Sequence, residues 1–204
     1  MEIKGKATVK YNNGASISPK GKLTVTDTEN INSIDGGGKI DFDNISVDNF
    51  SYKGKVCCTS INARNCVSIS GAVKADKIEA GTSISIVFSN NISVDDVRAA
   101  KVEIKPIDAE KINALSSFLS KIINIAIEKK DDIHAKFKTL QATEAKLTDC
   151  DVDVVICDKI KLSGKCKIKK LVCNGDVKIV GNKVTIYSQE KKYKNGDLNT
   201  TRRN

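Results

Sequence analysis

Several things this chain lacks narrow what it can be. Of its 204 residues only 4% are aromatic and none is Trp. An interior that large rings would fill is therefore excluded, and a narrow one lined by Ile and Val is favoured. Proline occurs twice, at Pro19 and Pro106, so the chain is free to form long uninterrupted ladders. There is one histidine, His134, with no nucleophile beside it in any known catalytic motif. Seven cysteines are present, but no C-x-x-C pair, and a zinc site would have to be built without one. The N-terminus Met1-Glu2-Ile3-Lys4-Gly5-Lys6 has no apolar stretch of the kind a signal peptide needs. No run approaches membrane-spanning length. A cytoplasmic location is the expectation, and cysteines outside any regular framework agree with a reducing compartment.

What is present is a repeated phrase. Between residues 40 and 104 pairs of apolar residues at i, i+2 recur three times per round, for four rounds. Ile40/Phe42, Ile45/Val47 and Phe50/Tyr52 form the first, and Val56/Cys58, Ile61/Ala63 and Val67/Ile69 the second. Val73/Ala75, Ile78/Ala80 and Ile84/Ile86 follow, then Ile92/Val94, Val97/Ala99 and Val102/Ile104. From Val56 to Val73 the step is 17 residues, shared by Gly54 to Gly71, Ile61 to Ile78 and Val67 to Ile84. From Val73 to Ile92 it is 19, the two extra residues falling in Ser89-Asn90-Asn91. An i, i+2 pair puts both side chains on one face of a strand. Three such strands per round predict an all-β, three-sided parallel β-solenoid with one continuous core. An antiparallel sandwich also alternates, but it does not align residue upon residue at one offset.

The solenoid core is expected over residues 38–105. Residues 1–37 read as a loose N-terminal round or cap, since Leu23/Val25 precede Ile40/Phe42 by 17 but Thr28, Ile31 and Ile34 fill the other sides poorly. Residues 106–135 read as a short helical insertion. There Leu115, Phe118, Leu119, Ile122 and Ile123 fall at helical spacing, to pack on the solenoid or to meet a membrane or partner. The repeat resumes over 136–187 with Leu140/Ala142, Ala145/Leu147, Cys150/Val152, Val155/Cys157 and Ile160/Leu162. One round on come Cys166/Ile168, Leu171/Cys173 and Val177/Ile179, then Val184/Ile186. Residues 188–204 read as a disordered basic tail.

Chemistry candidates dissolve on this register. Cys58, Cys150, Cys157, Cys166 and Cys173 occupy slots filled elsewhere by Ala, Val or Ile, and read as small buried hydrophobes. Cys57 and Cys66 fall off the inward pattern. Asp41, Asp43, Asp48, Asp95 and Asp96 straddle corners without forming a column, so no catalytic residue is assigned and no enzyme is expected. Gly36-Gly37-Gly38 lacks the context of a phosphate loop, and no cofactor or metal is expected. The net charge of +9 attracts anions, yet Arg is scarce and the basic stretches hold no stacking aromatics. No specific nucleic acid is expected.

The phrase Gly71, Val73, Ala75, Ile78, Gly81 resembles the repeat of the bactofilins, polymer-forming bacterial cytoskeletal proteins. The segments 140–147 and 160–171, on either side of Cys150/Val152, are similar to forms from spore-forming Gram-positive bacteria, which also carry a variable insertion. Ser163-Gly164 and the cysteine content depart from that pattern. The resemblance covers roughly residues 38–187. It implies a right-handed parallel β-helix that polymerises with itself without nucleotide, on the inner face of the cell membrane. It further implies partners among envelope or motility proteins. Stacking through solenoid ends would use Ile40, Phe42 and Phe50 at one end and Leu171, Val177, Ile179, Val184 and Ile186 at the other. The competing expectation is a monomeric capped solenoid with a lysine-rich face for an anionic ligand or membrane surface.

Overall fold

The computed structural model describes residues 2–10, 16–27, 31–107 and 134–190, with side chains from residue 32 onward. These residues form one parallel β-solenoid of about eight turns, thirteen strands in a single coiled sheet. Every strand pairing is parallel, which follows from a chain that always advances in one direction around the coil.

The first three strands, β1 (Glu2–Lys10), β2 (Ser16–Asp27) and β3 (Ile31–Phe42), each span more than one side of the coil. They are followed by β4 (Asn44–Cys57), β5 (Ser60–Ala80), β6 (Ser83–Phe88) and β7 (Ile92–Pro106). Beyond the insertion come β8 (Ala135–Thr148), β9 (Cys150–Cys157), β10 (Lys159–Ser163), β11 (Cys166–Cys173), β12 (Val177–Val180) and β13 (Val184–Glu190). The 21-residue β5 carries its ladder around three corners, because the bends there need no break in pairing.

The three apolar pairs per round become three faces. Face A stacks Ile40/Phe42, Val56/Cys58, Val73/Ala75 and Ile92/Val94; face B begins with Ile45/Val47, and face C with Phe50/Tyr52. The expected register is found: Val56 lies on Val73 and Val67 on Ile84. Ile61 and Ile78 are bracketed by the bonds Lys77 N–H to Thr59 O (2.9 Å) and Gly81 N–H to Ala63 O (3.1 Å). The 19-residue step is also present, with Lys74 opposite Ser93 and Ala75 opposite Val94. All these inward residues except Cys58 are buried, and the core among the described residues contains no polar or charged side chain. Each fully buried Ile or Val contributes about 2 kcal/mol of transfer free energy.

One corner, between faces C and A, repeats a backbone conformation. Gly38, Gly54 and Gly71 follow one another in register, all with positive φ. At Gly71 (φ 139°) a Cβ would collide with the Gly54 carbonyl of the round below, so the corner closes only without a side chain. Beyond the insertion the same corner is made by Asp149 (φ 55°), Gly164 and Gly181. Between these two glycine runs the position is taken by buried Phe88 and then Pro106. There the chain departs: first Ser89-Asn90-Asn91, and one round later residues 107–134, bridge the corner.

Three expectations shift at the edges. Residues 1–37 supply β1, β2 and most of β3, each in register with the next, because backbone pairing needs no well-filled interior side. The insertion is bounded more tightly than 106–135, since Pro106 ends β7 and Ala135 opens β8 with the buried pair Ala135/Phe137. Its interior, residues 108–133, lies outside the described residues, including Leu115, Phe118, Leu119, Ile122 and Ile123. Finally, Ser188–Glu190 is strand rather than tail. Ser188, Gln189 and Glu190 pair with Lys170, Leu171 and Val172, and Lys170 meets Glu190 at 3.0 Å. Residues 191–204 lie outside the described residues.

Candidate functional site

The last described round of the coil is made by β11, β12 and β13. β12 pairs only with β10 and β13 only with β11, so their outer edges carry N–H and C=O groups with no strand partner among the described residues. The apolar pairs of this last described round point inward by the same i, i+2 rule as all others, and among the described residues no further round covers them. Ile179 is 49% exposed, whereas Leu162, one round below it on face C, is fully buried. Val177, Val184 and Ile186 are half-buried, and Val180 and Tyr187 are exposed. An unpaired edge beside an uncovered core section is a template for further strand addition. Lys178 and Lys183 stand beside it and supply the charge that keeps such an edge from indiscriminate pairing.

The other residues expected at solenoid ends are placed differently. Leu171 is fully buried and lies under β13. Ile40, Phe42 and Phe50 are buried well inside the coil, because β1 and β2 add rounds below them. The terminal strand on that side is β1, whose single partner among the described residues is β2. Phe42, Phe50 and Tyr52 instead form an internal aromatic stack with ring centroids 6.0 and 6.1 Å apart. The Tyr52 hydroxyl donates to the Gly37 carbonyl at 3.1 Å, and burial with Asp41 nearby pushes its pKa up to about 12.

The cysteines do what small core residues do. Cys150, Cys157, Cys166 and Cys173 are buried, and all seven thiols are free. Cys157 sits directly on Cys173 across β9 and β11. The Cys150 thiol donates to Thr148 O at 3.2 Å, Cys166 to Ser163 O at 3.1 Å and Cys173 to Asp158 O at 3.4 Å. Burial raises the thiol pKa values of Cys150, Cys157 and Cys166, and carries Cys58 up to about 12, with Cys57 and Asp76 adding to it. The raised values at Cys58, Cys150, Cys157 and Cys166 disfavour the thiolate, the form that acts as nucleophile or metal ligand. Cys57 and Cys66, off the inward pattern, are half-buried, and Cys66 Sγ accepts from Ser83 Oγ at 3.3 Å.

Face A carries a charge pattern missed in the sequence because its members lie a round apart. His134/Lys136/Lys138, Asp149/Asp151/Asp153 and Lys165/Lys167/Lys169 form three successive rungs, basic, acidic, basic. Asp151 stands between Lys136 and Lys167 in register. Asp153 pairs with Lys169 at 2.8 Å, and Asp149 Oδ1 accepts the Lys165 N–H at 2.7 Å. Lys138 reaches Asp95 at 2.7 Å, which raises its pKa by hydrogen bond and charge together. A hollow of about 470 Å³ on this face is lined by Lys74, Ser93, His134, Lys136, Asp151 and Lys167. The carboxylates there are interleaved with ammonium groups, which compensates their charge and leaves no pair poised for acid–base work. Asp41, Asp43, Asp48, Asp95 and Asp96 remain scattered at corners and sides, with Asp48 bound to Arg64 at 3.0 Å and Asp41 to Lys39 at 3.1 Å.

Face B is indented where it meets face C. Its second inward position is small in round after round: Ala63, Ala80, Ala99, Ala142, Cys157. The resulting groove, about 690 Å³, is open to Arg64, Glu79, Arg98, Gln141 and Asp158. Among the described residues no three His, Cys, Asp or Glu side chains converge on one point. Comparison of the chain with family models, curated proteins and solved structures finds no match in any of the three.

Proposed function

We propose that this protein is a self-assembling scaffold that stacks through the ends of its solenoid and needs no nucleotide, in the manner of the bactofilins it resembles. The observation that supports this most is the last described round, where Ile179 exposes a core position beside two strand edges that have no partner among the described residues. Covering that section with another copy would pair the edges of β12 and β13 and bury Val177, Ile179, Val184 and Ile186. The joint at the other end would be formed by residues 2–10 rather than by Ile40, Phe42 and Phe50. Stacking of this kind extends without closing, so the product is a filament. No catalytic residue and no cofactor enters the reading. Its setting is the cytoplasm, on the inner membrane face, with envelope or motility proteins as clients.

Purified wild-type protein without nucleotide is expected to elute from sizing chromatography as large assemblies and to show filaments in negative stain. Ile179→Lys and Ile186→Lys each place a charge at every joint and are expected to elute as folded monomers. A wild-type protein that stays a monodisperse monomer at high concentration sinks the scaffold reading, and a capped binding solenoid takes its place.

A further inference from the structure

The outward surface of face C changes character along the coil axis. In its early rounds the middle column is neutral: Ser51, Ser68 and Ser85 stand in register. Glu103 follows Ser85 in that column and lies opposite Lys146; after the insertion the column is Lys146, Lys161 and Lys178, again in direct register on three consecutive rounds. Adjacent strands lie about 4.8 Å apart, so the three side chains leave the sheet in single file at that spacing. Like charges directly opposite one another destabilise a sheet. Among the described residues Lys161 and Lys178 have no carboxylate at salt-bridge distance, and Lys146 has Glu144 at 4.0 Å. Face A of the same rounds avoids this cost by alternating basic and acidic rungs. Beside the lysine file runs a hydroxyl column, in which Thr148 and Ser163 share a hydrogen bond at 2.7 Å. Two successive rungs thus present one ammonium and one hydroxyl each. Of the two stretches whose side chains are described, the later one carries the bias. Residues 134–190 hold eleven lysines against seven carboxylates, while residues 32–107 balance nine basic against nine acidic side chains.

We propose that the file Lys146, Lys161 and Lys178 binds a linear chain of phosphates lying along the coil axis. The ammonium groups take the phosphate charge, and the hydroxyl of the Thr148–Ser163 pair that accepts from the other donates its own proton to a phosphate oxygen. Such a ligand spans the rounds and relieves the repulsion of the stacked lysines, which a single small anion does only in part. A bilayer would weigh every lysine on the face alike, counting Lys101 and Lys159 as much as the file. A single nucleic-acid strand wants aromatic platforms, and this surface has none. The proposal does not require assembly.

The test uses the full chain and long-chain inorganic polyphosphate as probe, with orthophosphate and vesicles of equal parts phosphatidylglycerol and phosphatidylcholine beside it. Lys161→Gln/Lys178→Gln removes two charges from the file. Lys101→Gln/Lys159→Gln removes two from the same face outside it. All four positions are on the surface, circular dichroism verifies folding, and sedimentation scores assembly separately. Polyphosphate affinity is expected to fall at least about tenfold in the file variant and less than about threefold in the other. The basic residues after Glu190 are common to both variants and cancel. Equal losses in the two variants, no polyphosphate binding by wild type, or tighter binding to the vesicles than to polyphosphate would each overturn the proposal.

Discussion

At the scale of single residues the interior tolerates little. Ile78 is fully buried in the middle of face B. A carboxylate there has neither water nor a donor, so Ile78→Asp is expected to cost more than about 4 kcal/mol and to unfold the surrounding rounds. A soluble Ile78→Asp protein with native circular dichroism would contradict the register. Gly71→Ala puts a methyl group against the Gly54 carbonyl at a positive φ and is expected to cost about 3 kcal/mol, measured by denaturant unfolding. The cysteines act oppositely. Replacing Cys150, Cys157, Cys166 and Cys173 with Ala together should keep the fold, at about 1 kcal/mol for each small cavity. The burial of Cys150, Cys157 and Cys166 also has a pH consequence. A thiol or phenol whose folded pKa lies above its unfolded value binds protons more tightly in the folded protein. The stability it lends is complete below the unfolded value, 9 for Cys and 10 for Tyr, and drains away towards the folded values of about 12 at Cys58 and Tyr52. Thermal midpoints are therefore expected to be flat around neutral pH and to fall above pH 9. The four-cysteine variant should fall less steeply; an identical alkaline slope would contradict the assignment.

At the scale of elements the corner between faces C and A decides where the chain can wander. Phe88 and Ile92 are joined by three residues; one round later Pro106 and Ala135, stacked on the same two positions, are joined by residues 107–134. Ile107 still bonds to Phe88 O at 2.7 Å, and the His134 N–H reaches Asn91 Oδ1 at 3.0 Å, so the excursion leaves and returns over one corner. Replacing residues 107–134 by Ser-Asn-Asn should connect β7 to β8 directly and preserve the parallel sheet, since a loop between fixed strand ends contributes little to their pairing. Loss of the β signal by circular dichroism would show that the insertion is part of the core. The second element-level feature is the acidic rung Asp149/Asp151/Asp153 between two basic ones. These exposed pairs each contribute well under about 1 kcal/mol, so their effect is on the pattern of the surface more than on stability.

At the scale of the whole molecule, stability is spread along an axis. Each round touches only its neighbours, so loss is felt first at the ends. Among the described residues the C-terminal round has no covering neighbour on one side, and hydrogen exchange is expected to be fastest in β12 and β13 and slowest in β5 and β7. Filament formation should reverse that order at the end, protecting β12 and β13 in assembled protein. Unchanged exchange there on assembly would place the joint elsewhere.

What the amino-acid order determined by itself was the round: the i, i+2 pairs, their 17-residue step and the 19-residue exception were all legible, because each expresses local alternation plus one constant offset. The burial of the cysteines followed from the slots they occupy. The expected ends were not so legible. Leu23/Val25 was a faint signal, yet backbone pairing carried β1 and β2 below Ile40, Phe42 and Phe50 and turned an expected end into core. The pair Ala135/Phe137, next to the insertion, became face A only when the corner closed over it. The lysine file and the acid–base rungs also belong to the tertiary structure alone. Lys146, Lys161 and Lys178 are 15 and 17 residues apart, and only unequal rounds coiled into register bring their side chains into one line.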